Sequence, residues 1–218
     1  MRFLVTAGPT REPIDPVRFL SNRSSGKMGY AIAGAALEAG HEVVLISGPV
    51  HLDRPHDAKL SQVSTSDEMF EAVNRQIRDC DVFVMCAAVA DYKPANVSAT
   101  KIKKRSGNFS LELVPTRDIL ASHSKTDRSY LVVGFAAETN DLEENAKKKL
   151  AEKNLDIVVA NDVSGRDSAM ESDENEVIIL FREGATKKIS RAPKKIIARE
   201  LVNIFANARE KRLTKKMP

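Results

Sequence analysis

Four stretches of this sequence hold residue types able to work on an anionic substrate. The longest is Thr6-Ala7-Gly8-Pro9-Thr10-Arg11-Glu12-Pro13-Ile14-Asp15-Pro16-Val17-Arg18-Phe19-Leu20-Ser21-Asn22-Arg23-Ser24-Ser25-Gly26-Lys27-Met28-Gly29. Its serines and glycines stand just before an Ala-rich apolar run. Small residues let a backbone approach a phosphate, and helix N-terminal amides favour anions. A long capped βα loop would use the same residues. The second stretch, Ala87-Ala88-Val89-Ala90-Asp91-Tyr92, pairs small residues with an acid. Asp91 can accept a hydrogen bond from a ribose, a base amine or an amide, or can cap its own turn. The third, Lys101-Ile102-Lys103-Lys104, could close over a polyphosphate, or be a solvated charge run. In the fourth, Lys149 and Lys153 are four apart and share a helix face. Lys147 and Lys148 find i,i+4 partners in Glu143 and Glu144, which assigns those two lysines to structure.

Two nucleotide motifs fail. A Walker loop needs a glycine where Ser21 stands and a Ser or Thr where Met28 stands. A dinucleotide fingerprint needs G-x-G-x-x-G directly after the first strand and an acid at the end of the second strand, where Ser47-Gly48 is found. An ordinary NAD protein is therefore disfavoured.

The elements that must position these residues alternate. Strands are expected at Arg2–Thr6, Glu42–Ile46, Ser61–Ser64, Asp81–Cys86, Tyr130–Phe135 and Asp156–Ala160. Helices are expected at Lys27–Ala39, stopped by Gly40, after the Thr65/Glu68 capping box, and at Asp141–Lys153. Asn96–Gly107 is polar and lysine-rich, and Phe109–Val114 alternates like an exposed strand, so about 95–116 reads as a flap. Glu176–Phe181 and Lys187–Ser190 form a hairpin about Glu183-Gly184, and a last helix runs from Pro193 to about Arg209. The rhythm predicts an α/β fold: a doubly wound, Rossmann-like, mostly parallel sheet with an antiparallel extension and a lysine-bearing flap. Residues 1–208 read as one domain.

Composition excludes several classes. The last ten residues hold five of the 34 basic residues and one of the 30 acids, leaving 29 of each in the preceding 208. The net charge of +4 therefore belongs to a basic tail, 209–218, read as a solvated, frayed end. That argues against a nucleic-acid surface. Two cysteines cannot build a disulfide framework, and Cys86 reads as a small core residue; four scattered histidines lack ligand spacing. No apolar run approaches a membrane span, and no signal-peptide pattern is present, so the chain reads as cytoplasmic.

Taken together, the first two stretches, Lys101-Ile102-Lys103-Lys104, Gly134-Phe135-Ala136-Ala137-Glu138-Thr139 and Ala160-Asn161-Asp162 closely resemble the bacterial phosphopantothenoylcysteine synthetases. The resemblance implies a ligase of coenzyme A biosynthesis that joins 4′-phosphopantothenate to L-cysteine. CTP and Mg²⁺ would activate the acid as an acyl-cytidylate, releasing pyrophosphate and then CMP. Asn22 would hold that intermediate and serve the second half-reaction, and Lys101 the first. Gly8, Ser24, Ser25, Gly26, Asp91, Lys101, Phe135, Lys149 and Lys153 would contact the nucleotide. So would Pro115, Thr116, Arg117 and Asp118, although Arg117 stands where the family usually has proline. Arg18, Asn22, Ala87, Ala88 and Lys104 would meet phosphopantothenate, Arg18 across a homodimer interface. No metal ligand is implied. In many bacteria the synthetase follows a fused flavin-dependent decarboxylase; this chain begins at the synthetase's first strand, so it reads either as a standalone synthetase with a separate decarboxylase as partner or as an excised domain of the fused protein. A Rossmann-type NAD(P) oxidoreductase and a non-catalytic nucleotide-binding module are the rival readings.

Overall fold

A computed structural model describes residues 1–104, 106–124, 127–163 and 172–214. The elements are β1 (Arg2–Ala7), β2 (Arg11–Pro13), β3 (Phe19–Ser21), α1 (Lys27–Glu38), β4 (Glu42–Ser47), β5 (Lys59–Gln62), α2 (Ser66–Gln76), β6 (Val82–Met85), β7 (Tyr92–Pro94), β8 (Leu113–Pro115), α3 (Ile119–His123), β9 (Leu131–Glu138), α4 (Leu142–Glu152), β10 (Ile157–Asp162), β11 (Glu174–Phe181), β12 (Thr186–Pro193) and α5 (Lys194–Thr214). The described strands make an eight-stranded sheet in the order β12-β11-β10-β9-β6-β1-β4-β5. The six from β5 to β10 are parallel, and β11 and β12 add an antiparallel edge.

The sheet is covered on both faces, which is why its strands read as unbroken apolar runs. Alternation sends Phe3 and Val5 to one face, against Ile32 of α1 and Ile197, Leu201 and Phe205 of α5. Leu4, Phe83 and Val132 go to the other, against Met69 and Val73 of α2 and Ala146 of α4. The chain grows one way through β1, β4 and β5, and the other way through β6, β9 and β10. Between β1 and β6 the direction reverses, and in open α/β sheets ligands bind beyond the carboxyl ends of the strands at such a switch point.

Local signals hold closely. Thr65 accepts from the Glu68 amide at 3.2 Å while the Glu68 carboxylate reaches back to the Thr65 amide, closing the capping box. Gly40 takes φ +79° just past α1.

Four expectations need correction. The strand expected at Ser61–Ser64 lies at Lys59–Gln62, because Ser64 has left the sheet, its carbonyl accepting from the Arg11 amide at 2.8 Å. Phe109–Val114 is not a strand throughout. Only Leu113–Pro115 pair as a strand, opposite the three residues Tyr92–Pro94. Lys148 pairs with Glu152 rather than Glu144. The tail is folded as far as Thr214. Arg209 is buried against Asp81 at 3.2 Å, and Arg212 pairs with Asp156 at 2.6 Å. Both acids stand just before parallel strands, at the end of the sheet opposite the switch-point crevice. Lys215 and Lys216 lie outside the described residues.

Candidate active site

At the crevice, α1 starts directly against the end of β1. Gly8 has φ +72° and Gly26 φ +77°, where a side chain is strained. A Cβ on Gly26 would come within 3.3 Å of Gly8 Cα, and one on Gly29 within 2.6 Å of Ala7 Cβ. Tight turn, close backbone approach and helix–strand packing are the three tasks of the dinucleotide-fingerprint glycines. Here Gly8 takes the left-handed turn, Gly26 lies against Gly8, and Gly29 packs α1 onto β1, although the β2–β3 hairpin is inserted between the first and second.

The inserted loop is stitched to the end of β6. Thr6 Oγ1 accepts from the amides of Cys86 at 3.1 Å and Ala87 at 3.2 Å, and Thr10 Oγ1 from that of Ala90 at 3.0 Å. The Ala88 amide donates to Gly8 O at 2.9 Å. The Ala88 carbonyl then uses both lone pairs, accepting from the Thr10 amide at 3.2 Å and from Asn22 Nδ2 at 3.1 Å. Asn22 is thereby set beside Ala88 with its side chain exposed. Thr116 is joined to the same loop, its amide donating to Asp91 O at 2.9 Å and its hydroxyl to Ala90 O at 2.6 Å.

From the other side of the crevice, Lys149 on α4 donates to Phe135 O at 2.7 Å. Burial pulls its pKa below the ordinary lysine range, against the opposing attraction of Glu138, Asp91 and Asp118. Lys153 ion-pairs with Asp118, the N-cap of α3. Burial would raise the Asp118 carboxyl, but the Ala121 amide and Lys153 outweigh it and hold it below the usual range.

These segments enclose a cavity of about 270 Å³. Ser24, Gly26, Ala87, Ala88, Asp91, Phe135 and Lys149 line it, seven of the residues singled out from the sequence. Gly8, Ser25, Asn22, Thr116, Asp118 and Lys153 lie in the supporting loops and helices. Lys101 and Lys104 are exposed on the flap and are not among the lining residues. Arg117 points away: it bonds Asp67 and Glu71 and stacks 4.0 Å over the Phe70 ring, leaving only its backbone beside Thr116. Cys86 is partly buried at the cavity wall, and desolvation pushes its thiol up to about 12, so it is no nucleophile at neutral pH.

The lining also includes Lys27, Asn161, Asn175 and Lys194. Lys27 was visible within the long motif. Asn175 and Lys194 carried no signal, since an antiparallel hairpin strand and a helix start gave no reason to expect them at the crevice. Lys194 is buried, donates to Ser172 O at 2.6 Å, and is pulled down by desolvation. Among the described residues no cluster of three His, Cys, Asp or Glu could hold a metal ion. These residues do not fit a resident metal site.

The family model of the DNA/pantothenate metabolism flavoprotein C-terminal domain matches residues 1–208. The chain belongs to this family. The coenzyme A biosynthesis bifunctional protein CoaBC of Bacillus subtilis strain 168 is 45% identical over 204 residues, 93% of this chain and 50% of that protein. Its Escherichia coli K12 counterpart is 47% identical over 189 residues, 84% of this chain and 46% of that protein. The chain thus spans about half the length of the curated relatives it matches. A crystal structure of the C-terminal domain of a CoaBC protein superposes with TM-score 0.79 at 42% identity, covering 93% of this chain and 92% of that one. A Cab2 mutant in complex with phosphopantothenate-cysteine shares the fold at TM-score 0.78 and 18% identity, covering 95% of this chain and 87% of that one. The family domain is therefore the doubly wound α/β sheet expected from the sequence, with its crevice at the β1/β6 switch point. No described helix is long and apolar enough to cross a membrane.

Proposed function

We propose that this domain is the synthetase of coenzyme A biosynthesis, ligating 4′-phosphopantothenate to L-cysteine at the expense of CTP, with Mg²⁺ accompanying the triphosphate. One observation carries the reading. Asn22, Ala87-Ala88, Asp91, Phe135 and Lys149, far apart in sequence, meet around the crevice where α1 presents its amides. Relatives bearing the CoaBC name, and the phosphopantothenate-cysteine bound by Cab2, support the chemistry.

A carboxylate resists an amine, because its charge is delocalised and oxide is a poor leaving group. Attack of the carboxylate oxygen on the CTP α-phosphorus forms a mixed anhydride and expels pyrophosphate. The cysteine amine then attacks the acyl carbon and expels CMP. In the first step the α1 amides, Lys149 and Lys101 offset growing negative charge. In the second, the Asn22 amide faces the former carbonyl oxygen as a neutral donor. The Phe135 carbonyl, the Asp91 carboxylate and the backbone of 115–118 suit a cytosine and its ribose.

Large apolar side chains support a homodimer. Val17, Phe19, Tyr92, Val97, Phe109 and Leu113 are exposed, from the β2–β3 hairpin, β7 or the flap. A decarboxylase working beside the synthetase, fused or separate, and a cytoplasmic setting belong to the same reading. The test is pyrophosphate release with CTP, ATP, GTP and UTP in turn, both acceptor substrates present. Release with CTP, dependent on phosphopantothenate, is expected. CTP binding without release would overturn the ligase in favour of a binding module, and a nicotinamide absorbance change would favour an oxidoreductase.

A further inference from the structure

Asp15 lies outside the cavity, in the turn of the β2–β3 hairpin, with its side chain fully buried. Its Oδ1 accepts from the amides of Val17 and Arg18, both at 2.9 Å, as an Asp does in a local turn. Its Oδ2 is used non-locally. It accepts from Arg18 Nε and from the amide of Ile102 on the flap, each at 3.1 Å. Arg18 Nη2, also on Oδ2, donates to the Ile102 carbonyl at 2.9 Å. Both backbone groups of Ile102 are therefore held by one carboxylate–guanidinium pair. The Ser98 amide adds a second tie, donating to Ile14 O at 3.0 Å. Arg18 holds the Asp15 carboxyl well below the usual carboxylate range, so the pair is ionised throughout the working pH range.

Ile102 lies between Lys101 and Lys103, on backbone with no helix or strand of its own. A lysine there has a long flexible stem, and a charge that must reorganise on arrival contributes little to a transition state. We propose that Asp15 is the positioning residue of the lysine flap, gripping Ile102 through its pair with Arg18 so that Lys101 and Arg18 are presented to the substrate anions as one unit. This rests on the reading of Lys101 as a cation of the nucleotidyl step.

The experiment follows pyrophosphate release in single turnovers of the full chain at saturating phosphopantothenate and CTP. It compares the native protein, Asp15→Asn, Lys101→Gln and the double variant, with hydrogen exchange measured over 98–104. Asp15→Asn keeps the volume but presents either an uncharged acceptor or an NH₂ to donors. It is expected to slow release roughly ten- to a hundredfold, the worth of a hydrogen bond to a charged group. The double variant is expected to be no slower than Lys101→Gln alone, and exchange at Ile102 to rise in Asp15→Asn while the β1 amides stay protected. Multiplying effects, or unchanged exchange at Ile102, overturns the proposal. If Lys101→Gln leaves release untouched, the reading of Lys101 fails instead, and the exchange result alone decides the grip. Should Asp15→Asn not fold by thermal melting, Asp15→Ser, which retains an acceptor for the two turn amides, takes its place in the same cycle.

Discussion

On the proposed mechanism, replacing Asn22 should separate the two half-reactions. Its side chain is exposed and donates to Ala88 O at 3.1 Å, and that carbonyl keeps the Thr10 amide at 3.2 Å when the amide is lost. No buried group is orphaned, so Asn22→Ala costs the fold less than about 1 kcal/mol. Removing one donor aimed at a developing oxyanion costs about 2.7–4 kcal/mol, or roughly 10²–10³ in rate. Asn22→Asp adds a like charge where negative charge must grow, and sets a carboxylate oxygen against Ala88 O. In the proposed mechanism the donor acts in amide formation, while the first step draws on the α1 amides and lysines. In quenched single turnovers, pyrophosphate release is therefore expected within a few-fold of native for both variants. Formation of the cysteine amide is expected to fall by roughly 10²–10³, more in Asn22→Asp. Equal slowing of release and amide formation would refute the division of labour. A thermal midpoint that falls as far as for a core deletion would refute the claim that Asn22 is spent on chemistry rather than on folding.

Lys149, desolvated in the folded chain, should lose its proton below the ordinary lysine range. CTP affinity measured calorimetrically should weaken as pH rises through that lowered value, and Lys149→Met should abolish this alkaline limb. By linkage, the unfolded chain binds the extra proton in the window between the two pKa values, so Lys149 makes the apo-protein more stable as pH rises there. A Cβ on Gly29 would sit 2.6 Å from Ala7 Cβ, so Gly29→Ala should push α1 from β1, costing about 1–3 kcal/mol in denaturant melts and weakening nucleotide binding. An unchanged melt would show that the helix start has room to move. Asp156 joins Arg128 at 2.8 Å and Arg212 at 2.6 Å, so Asp156→Ala should cost about 3–5 kcal/mol of stability while leaving KM for CTP unchanged in the folded fraction.

Much of the scaffold was legible because it is written in local physics. The Thr65/Glu68 box, the Gly40 stop and the apolar runs of β1, β4, β6, β9 and β10 each act over a few residues. The misreadings came where partners were distant. Arg209 and Arg212 looked like a frayed tail because Asp81 and Asp156 are far away in sequence. The flap looked like a strand because alternation cannot reveal that the edge strand opposite it has three residues. At the site, Ser24, Gly26, Asp91, Phe135 and Lys149 were found from residue type, motif and resemblance. Asn175 and Lys194 were missed because only the antiparallel pairing of β11 and β12 beyond β10 brings them to the crevice.

By itself the sequence determined the alternating α/β architecture, the anion-suited loop before α1 and the neutrality of the chain up to residue 208, since hydrophobic period, capping and charge are properties of short segments. Tertiary structure alone decided that Gly8, Gly26 and Gly29 come together at the start of α1 across an inserted hairpin, that Asn22 hangs on Ala88, and that Asp15 grips Ile102 from 87 residues away. Those contacts join residues that local rules cannot relate. They exist only once the parallel sheet sets β1 beside β6 and makes a distant backbone the nearest partner.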